Sequence, residues 1–259
     1  RPADYLDVLE KEGHVIADFE RRRDMVRDGV VAAAEQAGGN IVDGESLYDE
    51  VAALVEWPVA VAGRFEPHFL ELPREVLVST LQSHQRYFPV RGADGRLAPC
   101  FITISNLDSP QPEAIRIGNE RVVRPRFADA KFFWEQDRKL PLESYAEKLD
   151  QVVFQSQLGT IGDKTRRVTE LAERIARLLG ADVEHARRAA GLSKCDLMTD
   201  MVGEFAALQG VMGKRYAQAG GEAAEVTARG VGEERVMNQL DEPDQAGHRQ
   251  GQHRSMVPR

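Results

Sequence analysis

The sequence predicts an α+β fold: an antiparallel or mixed sheet in the first half, and helices alone in the second. Two observations predict it. Between residues 59 and 105, short apolar runs are bounded by Gly or Pro, and two of them flank the turn signal Ala93-Asp94-Gly95. From residue 163 onward the apolar positions recur at three and four, with no strand-like run among them. Helical patterns also fall between the strands, which is the α+β arrangement.

The elements follow in order. Residues 4–36 read as helix, and Arg21, Arg22 and Arg23 lie beside Asp18, Glu20 and Asp24 for exposed ion pairs. Gly38-Gly39-Asn40 ends that helix, since glycine tolerates positive φ. A second helix is expected over 46–57, with Ser46 as N-cap, Leu47, Val51, Leu54 and Val55 as its apolar face, and Pro58 as its stop. Residues 59–62 and 68–72 read as strands. Residues 73–82 read as a helix with proline first and Val76, Leu77, Thr80 and Leu81 inward. Residues 86–91 and 97–105 are expected to pair as strands.

After Asn106 the pattern is helical, with Asp108-Ser109-Pro110 capping the first helix start and residues 141–154 linking onward. Over 163–179, Val168, Leu171, Ala172, Ile175, Leu178 and Leu179 keep helical spacing, and Gly180 ends the run. A helix over 183–190 follows, then one over 193–209. In the latter, Cys195, Met198, Val202 and Phe205 are widened by Leu197, Met201 and Leu208 into a mostly buried girth. From about Thr227 periodicity disappears and Gly, Gln, His, Arg and Pro dominate, so residues 227–259 are expected to form a disordered tail.

Composition narrows the class. At 259 residues the chain suits one large domain or two smaller ones, and 42% hydrophobic with 29% charged residues is ordinary for a soluble globular protein. No apolar run approaches the roughly 18 residues of a membrane span, and no signal-peptide pattern opens the chain. Cys100 and Cys195 fit no metal spacing and read as reduced thiols, so a cytoplasmic protein is expected. A formal charge of -8 argues against nonspecific coating of nucleic acid, yet leaves room for one basic face. Because the chain begins at Arg1 without methionine, a fragment or processed product is expected.

Three clusters carry candidate chemistry. From Gly118 to Lys139, the cations Arg121, Arg124, Arg126, Lys131, Arg138 and Lys139 interleave with Phe127, Phe132, Phe133 and Trp134. Such a segment can hold phosphates while burying its rings; from the residues alone, an amphipathic helix pair, split at Pro125, with a solvated charged face is the simpler reading. His84-Gln85-Arg86-Tyr87-Phe88 could stack on an unpaired base and bond its edges, or simply feed two rings into the core. Asp196, Asp200 and Glu204 fall four apart and read as a solvated acidic stripe or, with histidines, as a metal set. No His-Asp pair accompanies them, so no metal is assigned. Phosphate-loop, dinucleotide, nucleophile-elbow and zinc patterns are missing, Cys195 reads as packing, and no catalytic residue is named.

Several runs, taken in order, resemble the β subunit of the bacterial heterotetrameric glycyl-tRNA synthetase. They are Leu54-Val55-Glu56-Trp57-Pro58, His84-Gln85-Arg86-Tyr87-Phe88-Pro89, Phe101-Ile102-Thr103-Ile104-Ser105-Asn106 and Gly118-Asn119-Glu120-Arg121-Val122-Val123-Arg124-Pro125-Arg126. Ala128-Asp129-Ala130-Lys131-Phe132-Phe133, Phe154-Gln155-Ser156-Gln157-Leu158-Gly159-Thr160, Asp163-Lys164-Thr165, Ser193-Lys194-Cys195-Asp196-Leu197-Met198-Thr199 and Gln209-Gly210-Val211-Met212-Gly213 complete the set. The resemblance covers roughly residues 5–225.

It implies an enzyme that joins glycine to tRNA-Gly with ATP and Mg through a catalytic α subunit, in an α2β2 assembly. The β chain itself would bind tRNA and no cofactor, and would touch neither membrane nor DNA. The implied layout is a helical segment at 1–39 and an α+β module at 40–140 similar to the editing-type module of the phenylalanyl-tRNA synthetase β chain. An incomplete, degenerate HD-like helical module at 141–226 follows, then the tail at 227–259. Family members are longer at both ends and carry a C-terminal anticodon-binding domain. A frameshift or truncated gene copy would explain a tail unlike the family, and a fragment unable to aminoacylate is expected. Arg121, Arg124, Arg126 and Lys131 are the expected phosphate contacts, with His84, Arg86 and Tyr87 secondary. The alternatives are an HD-type metal-dependent phosphohydrolase and a noncatalytic RNA or protein interaction module.

Overall fold

Residues 4–42 and 44–229 are described by the structure, a computed structural model. In chain order they form α1 (Tyr5–Lys11), α2 (Phe19–Gln36), β1 (Gly39–Ile41), α3 (Glu45–Leu54), β2 (Val59–Arg64), a 3-10 turn (Pro67–Glu71) and α4 (Arg74–Ser79). Helix α4 runs into a π turn (Thr80–His84), and β3 (Phe88–Gly92), β4 (Leu97–Ser105) and α5 (Pro112–Asp137) follow. A 3-10 segment (Leu142–Gln151) leads to β5 (Val153–Gln155), β6 (Gly159–Thr160), α6 (Ile161–Leu179) and α7 (Val183–Leu192). The last part holds a 3-10 turn (Cys195–Met198), α8 (Asp200–Glu204), another 3-10 turn (Ala206–Leu208), α9 (Val211–Ala219) and α10 (Ala224–Arg229). Thr227 therefore lies in a helix, and the expected tail from residue 230 on lies outside the described residues.

The class is α+β, and the main sheet is wholly antiparallel with order β1-β3-β4-β2. Strand alternation sends Cys100 and Ile102 to one face and Phe101 and Thr103 to the other. The first face packs on Val26, Val30 and Ala34 of α2 and on Leu47, Tyr48 and Val51 of α3. The second carries Phe101 into a larger core with Phe65, Phe69, Val123 and Phe127, which continues through Met201, Phe205 and Met212 of the helical half. The two halves thus share one core. Gly63 sits opposite Phe101 in the β2–β4 register, and a side chain there would run into the Phe101 ring.

Several expectations need correction. Residues 4–36 are not one helix: His14 takes a φ of 52°, and the chain turns to bury Ile16, whose N–H donates to the Glu56 carbonyl at 2.9 Å. Asp18 then caps α2 by accepting the Arg21 amide at 2.9 Å. The helix does end before Gly38, at φ 86°, as expected, but the chain there goes straight on into β1, a strand the sequence did not predict, which pairs with β3. Helix α3 starts from Gly44, with no side-chain cap from Ser46; Leu54 faces solvent, while Val55 is buried beyond the helix end. Residues 68–72 are no strand: Pro67 starts a 3-10 turn whose pitch brings Phe69 and Leu72 inward together. The 193–209 helix is three short pieces, because Thr199 leaves the helical region and caps α8.

Pro125 does not split α5. It sits on the exposed side, where the carbonyl left without an amide partner one turn back can bond water. Helix α5 starts without a side-chain cap; Ser109 only accepts the Gln111 amide, at 3.0 Å. Among the described residues, no helix is long and apolar enough to cross a membrane.

Candidate nucleic-acid interface

Helix α5 places its cations around a helix whose buried ridge is Val123, Phe127 and Ala130, closed by Asp137. Arg124 and Lys131 lean to one flank: Arg124 Nε meets Glu66 at 2.5 Å, and Lys131 Nζ lies 3.8 Å from Glu71 and 3.9 Å from Glu135. Arg126 leans to the other flank, 3.6 Å from Glu204 on α8. Arg121 is exposed and has no carboxylate partner among the described residues. The four expected contacts therefore do not form one patch. The pairs at Arg124 and Arg126 are solvent-exposed and that at half-buried Lys131 is partly so, each worth about 0–1 kcal/mol, so a phosphate could take the place of any of the carboxylates.

The His84 cluster is also divided. The His84 ring is exposed and stacks on Phe205 of the helical half, 5.2 Å between centroids and 21° between planes. Arg86, two residues past the π turn, takes a φ of 60° and is held by Glu50 and the Ser83 carbonyl. Tyr87 is a core residue. Its ring stacks on Phe101 at 4.9 Å, its hydroxyl donates to Asn119 of α5, and burial pushes the phenol up. Its ring is already stacked in the core, the second of the two readings the sequence left open, and Tyr87 anchors α5 to the sheet.

Of the acidic set, Asp200 and Glu204 are exposed on α8, as a solvated stripe requires, but Asp196 lies in the preceding 3-10 turn and leaves it. Asp196 is fully buried; its Oδ2 accepts the Gly210 and Gly213 amides, the latter at 3.0 Å, while Oδ1 has no partner. Burial pushes this carboxyl up, against the pull of those two amides. Beside it, burial and then the Asp196 charge push the Cys195 thiol up to about 12, which fits packing and not nucleophilic work. Among the described residues, no group of three His, Cys, Asp or Glu side chains could hold a metal ion.

Sequence reasoning missed Asp137. Its carboxylate accepts the Asp200 amide at 2.9 Å, the Met201 amide at 3.0 Å and the Tyr216 hydroxyl at 2.6 Å. The signal was present: Val123, Phe127, Ala130, Trp134 and Asp137 follow the spacing of a buried ridge, so an acid on it needed internal donors.

Set against known proteins, residues 1–247 match the family model described as glycyl-tRNA synthetase β subunit. The chain is 52% identical over 226 residues to the glycine–tRNA ligase β subunit of Marinobacter nauticus, covering 87% of this chain and 33% of that protein. It is 53% identical over 226 residues to the protein of that name from Pseudomonas aeruginosa, with the same shares of each chain. The Vibrio cholerae protein of that name is 52% identical over 222 residues, 86% of this chain and 32% of the relative. The chain thus spans about a third of the length of the curated relatives it matches.

Proposed function

The chain belongs to the glycyl-tRNA synthetase β-subunit family, and from that premise we propose that it serves glycine–tRNA ligation as a noncatalytic subunit that binds tRNA-Gly. The observation that carries the binding role is Arg121, exposed on the outer side of α5 without a carboxylate partner among the described residues. A free guanidinium on a rigid helix can meet a phosphate without first giving up an ion pair. Arg124, Arg126 and Lys131 join it by exchanging carboxylate for phosphate, and His84 and Arg86 supply further polar groups at the junction of the two halves. Tyr87 positions α5.

In this reading, chemistry lies with a partner α subunit in an α2β2 assembly in the cytoplasm, which uses ATP with Mg; this chain holds no cofactor. Residues 40–140 serve as a relative of the editing-type module of the phenylalanyl-tRNA synthetase β chain. Residues 141–226 serve as an HD-related scaffold in which Asp196 braces the start of α9. With the α subunit, this chain, which spans about a third of the length of its relatives, does not support aminoacylation. Mobility-shift binding of tRNA-Gly by the chain and by Arg121→Ala tests the contact, and equal affinities would overturn it. Charging of tRNA-Gly at full rate by the α subunit with this chain would overturn the inactivity.

A further inference from the structure

His84 and Tyr87, three residues apart, both stack on a buried phenylalanine, but only His84 does so from outside. Tyr87 lies within the core on Phe101, whereas the imidazole is exposed and lies on Phe205, itself 2% exposed. Among the described residues Phe205 is the only ring that His84 meets, and its nitrogens have no hydrogen bond or ion pair. The inner face of the imidazole is thus covered by Phe205, and its exposure falls on the outer face and the edge. Uncommon backbone holds it there: His84 ends the π turn, and Arg86, two residues on, takes its φ of 60° under the grip of Glu50 and the Ser83 carbonyl. Two such conformations side by side cost free energy and are kept where a particular presentation of a side chain matters.

We propose that the outer face of His84 is a stacking platform for one unpaired nucleotide of the bound tRNA. The proposal rests on the tRNA-binding reading above and deepens it: His84 acts through its ring, and the nucleotide it takes is outside any duplex. A paired base hides both faces against its neighbours, whereas a base in a loop or at an end offers one to an aromatic ring. Stacking needs no net positive charge, which suits the surroundings. Glu204, beside Phe205 in the chain, lies 3.6 Å from Arg126, and Glu50 bonds Arg86, so these two carboxylates are matched by guanidiniums and do not repel the phosphates next to the base. The imidazole comes from the sheet half and Phe205 from the helical half, so the nucleotide would seat where the two halves meet.

Binding of tRNA-Gly by the folded chain, by His84→Ala and by His84→Phe tests it, together with ultraviolet crosslinking read by mass spectrometry on the peptide that holds residue 84. His84→Ala is expected to bind at least about fivefold more weakly, the scale of one lost base stack, and to lose the crosslink. His84→Phe keeps a ring without the nitrogens; it is expected to restore most of that affinity and to join a nucleotide that is unpaired in the tRNA. Arg121→Ala is expected to weaken binding through a phosphate and to keep the crosslink. Failure of the parent chain to bind tRNA-Gly would overturn this proposal along with the reading beneath it. Parent-like binding by His84→Ala, no rescue by His84→Phe, a crosslink to a base-paired nucleotide, or an effect of His84→Ala confined to α-subunit binding would each overturn the platform alone.

Discussion

Asp137 and Tyr216, 79 positions apart, meet at 2.6 Å, the tyrosine hydroxyl donating to the carboxylate. Asp137 is the last residue of α5 and Tyr216 lies within α9, so this bond ties the basic helix to the helical half. The same carboxylate accepts the first amides of α8, whose Glu204 pairs with Arg126. Replacing Asp137 with alanine strands three donors in the core and is expected to cost about 3 kcal/mol by urea unfolding. Asp137→Asn keeps one acceptor and should cost less. No loss in the alanine variant would mean that water satisfies those donors.

Gly63 is required by the Phe101 ring. Gly63→Ala is expected to cost about 1–3 kcal/mol through overpacking. Combining it with Phe101→Leu should recover part of that loss, and a double-mutant cycle on denaturant midpoints checks the coupling. Strict additivity would show that the sheet adjusts elsewhere.

Two acids predict opposite pH effects. The Thr160 amide, then the Arg166 and Thr160 side chains, hold Asp163 down to about 2 from 3.8. Its stabilisation is fully present above 3.8 and is lost as pH falls towards about 2. Burial raises Asp196, so ionising it weakens the fold as pH climbs from 3.8 through its higher folded value. The stability of Asp196→Asn relative to the parent should therefore improve from acid to neutral pH, and that of Asp163→Asn should worsen. Unfolding curves across that range check both signs.

Much of the fold was legible because burial imposes simple periods. The β3–β4 hairpin, the inward face of α4 and the Gly180 stop all follow from alternation, helical spacing or a left-handed glycine, φ 63°. What stayed hidden depended on distant partners. Ile16 breaks a helix to reach Glu56, and Asp137 and Asp196 look like surface acids until their amide donors arrive from later elements. The candidate site was legible as a list of cations but not as a patch. Which flank each cation takes is set by Glu66, Glu71 and Glu204, whose positions α5 alone does not determine.

Cys195 is expected to be inert in the folded chain, since its thiol is fully buried and pushed up to about 12. Its reaction with a disulfide reagent near neutral pH should wait for unfolding. Rapid native-state modification would show that the shared core opens locally around the Cys195–Met198 turn.

Among the α5 cations, Arg121→Ala should lower the salt dependence of tRNA binding by about one in slope. Arg126→Ala should lower it less, because its loss also frees the Glu204 carboxylate. Equal effects would mean that Arg126 is already unpaired in solution.

The central claim is that this third of the family chain carries a tRNA-binding role. Binding of the folded chain to tRNA-Gly and to an unrelated tRNA, across a salt series with and without α subunit, tests it most directly. The account predicts tighter binding to tRNA-Gly that weakens steeply with salt and flattens in Arg121→Ala. Absence of binding by a chain shown to be folded would contradict it and leave recognition to the rest of the subunit.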